Sequence, residues 1–135
     1  MRITGLYAAI STLLILVLAV RVIAYRRTHK IGLGDGNDNE LRKRIRAHGN
    51  AIEYFPFGLL LLLLLELNQT APVLLHVFGI VLIVARLAHA WGVSRHSGIS
   101  PGRMIGVILT FAVLLVMALL LLWQWIGWTA IATAH

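Results

Sequence analysis

"RIRAHGNAIEYFPFGLLLLLLLEL", residues 44–67, joins two chemistries end to end. Its first turns carry Arg44, Arg46, His48, Asn50 and Glu53; the rest is almost unbroken leucine. A hydrocarbon layer of about 30 Å takes roughly 20 helical residues to cross, and the apolar part of this stretch, with its flanks, supplies that length. The polar residues therefore stand at the mouth of a membrane helix, where water is about to run out. A charge at the bilayer centre costs at least about 2.5–3.5 kcal/mol on insertion scales, and less near the interface, so a carboxylate such as Glu53 needs a partner.

Three further segments have the same character. The chain has 135 residues, 59% of them hydrophobic and 13% charged, with a mean hydropathy of +0.86. That length fits one domain, and that hydropathy excludes an ordinary soluble one. Backbone groups in lipid must be satisfied within the segment, so helices are expected over residues 3–25, 39–67, 73–92 and 103–128. The expected fold is an all-α membrane protein, a single four-transmembrane-helix bundle over residues 1–135. A cleaved leader is the rival reading of the first segment. Its apolar run is longer than the roughly 7–15 residues of a leader core, and Ala24-Tyr25-Arg26 is a poor cleavage site, so it is read as a span.

The formal charge of +7 is explained by position. Arg26, Arg27, Lys30, Arg42, Lys43, Arg44 and Arg46 fall around the first connection, and Arg95 and Arg103 around the third. The positive-inside rule then places both basic loops in the cytoplasm and both termini outside. No aromatics interleave with these cations, so no nucleic-acid partner is expected. With no cysteine, disulfides and thiolate metal sites are excluded, no metal site is expected, and any thiol chemistry must use a thiol that a ligand brings.

Between the first two helices, "GLGDGND" (residues 32–38) is turn chemistry. It is not a calcium loop, because the sixth position of "DGNDNE" is Glu40 rather than glycine. Asn37 or Asp38 is expected to cap the second helix, with Glu40 near its positive end. Pro72 suits the start of the third helix. Pro101 stands just ahead of the fourth, and Pro56 frees the carbonyl of Ile52 and is expected to bend the second. Trp123, Trp125 and Trp128 read as an interfacial belt, with a ligand cage as the alternative.

Arg46, Asn50 and Glu53 stand at i, i+4 and i+7 and share one helix face, with Tyr54 one residue around. Their structural reading is interhelical hydrogen bonding, worth about 0.6 kcal/mol per bond on average. Arg86 and His89 share a face of the third helix. Arg86 alone reads equally as a cation snorkelling to the head groups, His89 as a satisfied interior histidine, and Arg103 as a topogenic charge. Glu66, near the outer end of the second helix, is expected to be solvated, and His76 receives no role. Together the basic half of the bundle offers several cations, one carboxylate and an amide. That set complements a small zwitterion with excess negative charge. Glutathione has two carboxylates for the arginines, an ammonium for Glu53 and peptide groups for Asn50. An arginine beside its thiol would favour the nucleophilic thiolate.

"RIRAHGNAIEYFP" resembles the R-x-x-x-N-x-x-E-x-x-P signature of the MAPEG family, the membrane-associated proteins in eicosanoid and glutathione metabolism. "IGLGDGND" resembles the loop of the bacterial branch, and "ARLAHAWGVSR" the family's third-helix motif. The resemblance extends over nearly the whole chain. It implies a homotrimer of four-helix subunits in the bacterial inner membrane, with glutathione bound as co-substrate between subunits near the cytoplasmic face. It implies glutathione contacts for Arg46, Asn50, Glu53, Tyr54 and Arg86, to which His89 is added as its neighbour on the same helix face. Arg26, or else Arg21, supplies a first-helix cation. Arg103, or else Arg95, is implied as the catalytic arginine that activates the thiol. A tyrosine that the leukotriene C and prostaglandin E synthases carry on the third helix is Val93 here. The implied activity is a microsomal-type glutathione transferase or peroxidase acting on an apolar electrophile or lipid from the bilayer. A non-catalytic lipid-binding scaffold of the same family is the alternative, and a small exporter is a third reading. The exporter is weakened because the first helix has no carboxylate.

Overall fold

The computed structural model describes residues 2–95 and 100–132, with side chains through residue 129. Four helices account for nearly all of it: α1 (Arg2–His29), α2 (Asn39–Leu67), α3 (Pro72–Arg95) and α4 (Pro101–Ala132). All four are long and apolar enough to cross a membrane, as the hydropathy requires. Three helix ends run two to four residues further into the basic side than expected: α1 to His29, α3 to Arg95 and α4 from Pro101. On α1 nothing breaks the helix before Lys30, and Thr28 and His29 bond back to the carbonyls of Ala24 (2.8 Å) and Tyr25 (3.0 Å). Lys30 then takes φ +55°, and Ile31 N–H returns to Arg26 O at 3.0 Å, a left-handed helix stop. Part of the second basic loop, residues 96–99, lies outside the described residues.

The first connection is organised by Asp38. Its Oδ1 accepts from the N–H groups of Glu40 (2.7 Å) and Leu41 (3.0 Å), which satisfies free donors of the first turn of α2. Its Oδ2 accepts from the Tyr25 hydroxyl at 3.0 Å, fastening the loop to α1. These bonds, the one from Leu41 N–H above all, hold the Asp38 carboxyl below its ordinary value. Asp35 is lowered likewise, chiefly by the Arg42 guanidinium at 2.7 Å.

At the other end, Glu66 corrects the solvated reading. Its two oxygens accept from the backbone N–H groups of Ile3 (3.1 Å) and Thr4 (2.9 Å), so α2 caps the start of α1. His76 also acquires a partner: Tyr7 Oη lies 2.9 Å from its Nδ1 and donates to its carbonyl at 3.1 Å. Gln124 ties α4 to the turn after α2, donating to Thr70 Oγ1 (2.9 Å) and accepting from Asn68 (3.0 Å). These bonds bring the start of α1 and the later part of α4 to the end of the bundle opposite the basic residues. Pro56 sits inside α2 without ending it.

Lipid is as apolar as leucine, so large side chains gain little by turning inward, and close packing of small ones joins the helices. The interior accordingly includes Ala47, Ala51, Ala85 and Ala90 beside Phe55, Leu62, Leu82 and Met117, while most of the large aliphatics and the tryptophans of α4 face outward. α3 and α4 approach closely at Gly92, where an added Cβ would collide with the backbone nitrogen of Arg103, and at Gly106. A Cβ added at Gly106 would stand 2.7 Å from the Ala85 carbonyl oxygen and the backbone nitrogen of His89. Among the described residues α1 packs on α2 and α3 but makes no close approach to α4.

Candidate functional site

At the basic end a cleft of about 270 Å³ opens between α2, α3 and α4, lined by Asn39, Arg42, Lys43, Arg46, Asn50, His89, Val93 and Arg103. Four of the residues singled out from the sequence, Arg46, Asn50, His89 and Arg103, meet there. Arg103 is delivered by local structure. Ser100 caps α4, accepting from Arg103 N–H at 3.4 Å, and Pro101 occupies the first helical position, where a missing N–H costs nothing. The guanidinium is thus carried on the first turn of α4, whose unpaired N–H groups add to the positive field.

The cleft holds four cations and no carboxylate. Arg42 is held by Asp35 at 2.7 Å and Lys43 by Glu40 at 3.3 Å. Among the described residues Arg46 and Arg103 make no ion pair. Both are exposed on the single chain, and positive charge left uncompensated at the wall of a cleft favours an anion. Val93, where the synthases carry a tyrosine, also lines the cleft. The wall at that position is aliphatic and offers no hydroxyl.

The other singled-out residues stand elsewhere. Glu53 is exposed on the surface of the chain. Arg26 lines a separate groove of about 470 Å³ that reaches Arg46 from the loop side. Arg21 is exposed and borders only a small gap beside Arg44 and Ser94. Arg95 lies 4.7 Å over the Trp91 ring and outside the cleft. Trp123, Trp125 and Trp128 are exposed and border an apolar groove at the far end, with Asn68 and Gln124.

Arg86 does not snorkel. It is only 2% exposed, and its guanidinium donates to Asn50 Oδ1, to Thr110 Oγ1 and, at 2.9 Å, to the Gly106 carbonyl. The Tyr54 ring lies 5.1 Å away and covers it, and Phe111 backs Tyr54 at 5.7 Å. Among the described residues no carboxylate pairs with it. Arg86 and Tyr54 therefore stand behind the cleft, and Asn50 is the link between them and its lumen.

Sequence reasoning passed over Asn39, Arg42, Lys43 and Thr110. The first three extend the Arg46–Asn50 face back by one and two turns, a helical spacing visible in the sequence. Thr110 carried no signal, because a lone threonine in an apolar helix has no evident partner.

The comparisons agree with this architecture. The model of the MAPEG family matches residues 4–123. Inner membrane protein YecN of Escherichia coli K12 is 37% identical over 121 residues, covering 90% of this chain and 91% of the relative. YecN from strain O6:H1 of the same species matches to the same extent. A family match over nearly the full length, a 37% identical relative covered over nine-tenths of its length and four helices long enough to span a membrane lead to one conclusion: the chain belongs to the MAPEG family.

Proposed function

We propose that this protein binds glutathione in the inner membrane and uses its thiol against apolar electrophiles that arrive through the bilayer. The observation that carries the reading is the meeting of Arg103 with Arg46 and Asn50 in a cleft lined by cations and amides but no carboxylate. A peptide with two carboxylates suits that lining. YecN is named an inner membrane protein, which supports the same location here, with the basic loops cytoplasmic by the positive-inside rule.

In this mechanism the tripeptide enters from the basic end and Arg46 and Asn50 hold its carboxylate and peptide oxygens. Arg103 favours ionisation of the thiol by standing beside the developing sulfur anion. The thiolate forms a bond to the electrophilic carbon, the leaving group departs with its electron pair, and the thiol proton goes to solvent. With a hydroperoxide the thiolate attacks the terminal oxygen, the O–O bond breaks and the alkoxide leaves to be protonated to the alcohol. The thiol of a second glutathione then attacks the sulfur of the resulting sulfenic acid, releasing water and forming the disulfide. Holding the two reactants together contributes the rest of the acceleration. Exposed Glu53 is suited to the ammonium of glutathione if a neighbouring subunit covers it. We therefore place the working site in a homotrimer, where the small single-chain cleft gains another wall.

The test is direct binding of glutathione to purified protein, followed by conjugation to a generic aryl halide. Binding with turnover supports the proposal. Binding without turnover removes the enzymatic part. Absence of glutathione binding with retained lipid favours the non-catalytic scaffold instead.

A further inference from the structure

We infer that Arg86 and Thr110 are positioning residues that orient the Asn50 amide, so that the cleft meets its ligand with hydrogen-bond donors alone at that point. The inference rests on the glutathione reading for its ligand and on geometry for its mechanism.

A guanidinium has donors and no acceptor. The Asn50 atom that faces Arg86 must therefore be its carbonyl oxygen, as the contact shows. Its other amide atom, Nδ2, is left for the cleft that Asn50 lines, and no protein acceptor among the described residues takes its N–H groups.

Arg86 is itself held from behind. Thr110, fully buried, donates its hydroxyl proton to the Gly106 carbonyl at 2.7 Å. That commits the proton and turns the oxygen lone pairs toward Arg86. Gly106 O and Thr110 Oγ1 then both accept from the same guanidinium nitrogen, Nη2, while Nη1 is left to reach Asn50. The order runs from α4 through α3 to α2: a threonine fixes an arginine, and the arginine fixes an asparagine. Arg86 is 2% exposed and does not line the cleft. Turning its bonded nitrogens toward a ligand would break bonds in a buried setting, where they are costly to lose, and its one unpartnered donor, Nε–H, is itself buried. It acts through Asn50 instead.

Of the remaining polar groups of the lining, Arg42, Lys43, Arg46 and Arg103 only donate, Asn39 already gives its oxygen to Arg42 at 3.0 Å, and the His89 ring keeps one nitrogen that can accept. A free asparagine could turn its oxygen to the ligand and accept an N–H. A locked one cannot, so the site discriminates a carboxylate from the carboxamide that replaces it.

The experiment measures the affinity of full-length protein in nanodiscs for glutathione and for glutathione with both carboxylates amidated. Wild type is expected to prefer glutathione. Thr110→Val removes the oxygen that Arg86 uses and should weaken glutathione binding at least about fivefold, shrinking the preference, whereas Thr110→Ser keeps the oxygen and should stay within about twofold. Asn50→Asp places an acceptor where the donor was and should lower the glutathione-to-diamide ratio about tenfold. An unchanged ratio in both Thr110→Val and Asn50→Asp overturns the inference while leaving the glutathione reading intact. Should Thr110→Val fail to fold, Arg86→Lys carries the same test, because an ammonium cannot span Asn50 and Thr110 in the fork geometry. The side-chain ¹⁵N–¹H pair of Asn50 in ligand-free protein gives a readout that needs no glutathione. It should move in Thr110→Val and remain in Thr110→Ser. That pattern without glutathione binding in wild type sustains the positioning and removes the glutathione reading; a resonance indifferent to Thr110→Val removes the positioning.

Discussion

The carboxylate of Glu66, near the end of α2, accepts the backbone N–H of Thr4, in the first turn of α1, at 2.9 Å. A residue distant in sequence thus caps a helix whose own first turn has no acidic residue. Replacing Glu66 by Ala should cost about 1 kcal/mol, near the usual value of a helix cap, and lower the thermal midpoint in detergent. Glu66→Gln retains an acceptor and should recover part of the loss. Equal midpoints for all three proteins would show that the cap contributes nothing.

Arg103 is the cation on the first turn of α4 at the cleft. Arg103→Ala is expected to lower conjugation turnover about 10²–10³-fold, the range for removing one preorganised stabilising group. Glutathione affinity should fall much less, since Arg46 and Asn50 remain. The ultraviolet thiolate band of bound glutathione, present in wild type and absent in the variant, checks the cause. A retained band with lost turnover would assign Arg103 to substrate placement.

Gly106 sets the separation of α3 and α4 and supplies an acceptor to Arg86. Gly106→Ala places a methyl against the Ala85 carbonyl and the His89 backbone, and overpacking of this kind costs about 1–3 kcal/mol. Thermal unfolding should show that loss, with the cleft affected as well because the Gly106 carbonyl must move. Gly127, inside α4 with open surroundings, is the control: Gly127→Ala should not lower the midpoint, because alanine favours the helix over glycine.

Asp35 and Asp38 titrate below the ordinary carboxylate value of 3.8 when the first loop is folded. A depressed folded pKa means the charged form is favoured by the fold. The contribution is complete above the unfolded value and is lost as pH falls through the folded one. Backbone hydrogen exchange of residues 30–41 should be pH-insensitive in its opening equilibrium near neutrality and should lose protection below about pH 4. In Asp38→Asn that acid step should shrink, leaving the part that belongs to Asp35.

The helices were legible because an apolar run of spanning length admits one backbone solution in lipid. The basic end of α2 begins at Asn39, as expected, but those of α1, α3 and α4 run further than expected, for the same reason. Beyond the apolar run, hydropathy stops reporting, and Thr28, His29 and Ser94 continue the helices through their own back-bonds. At the cleft, the Arg46–Asn50 face was readable from spacing within one helix. Whether Arg86 faced head groups or interior depended on Thr110 and Gly106, twenty and more residues away, and no local pattern encodes that. Glu66 and His76 escaped for the same reason, since their partners lie on α1.

Every side chain lining the cleft comes from α2, α3 or α4, and α1 stays apart from α4. The molecule thus divides its mutational tolerance unevenly. Most of the apolar run, residues 3–24, can drift so long as it remains apolar and keeps Thr4, Tyr7, Ser11 and Leu18 packed inside, whereas the facing surfaces of the other three helices must change in concert or not at all.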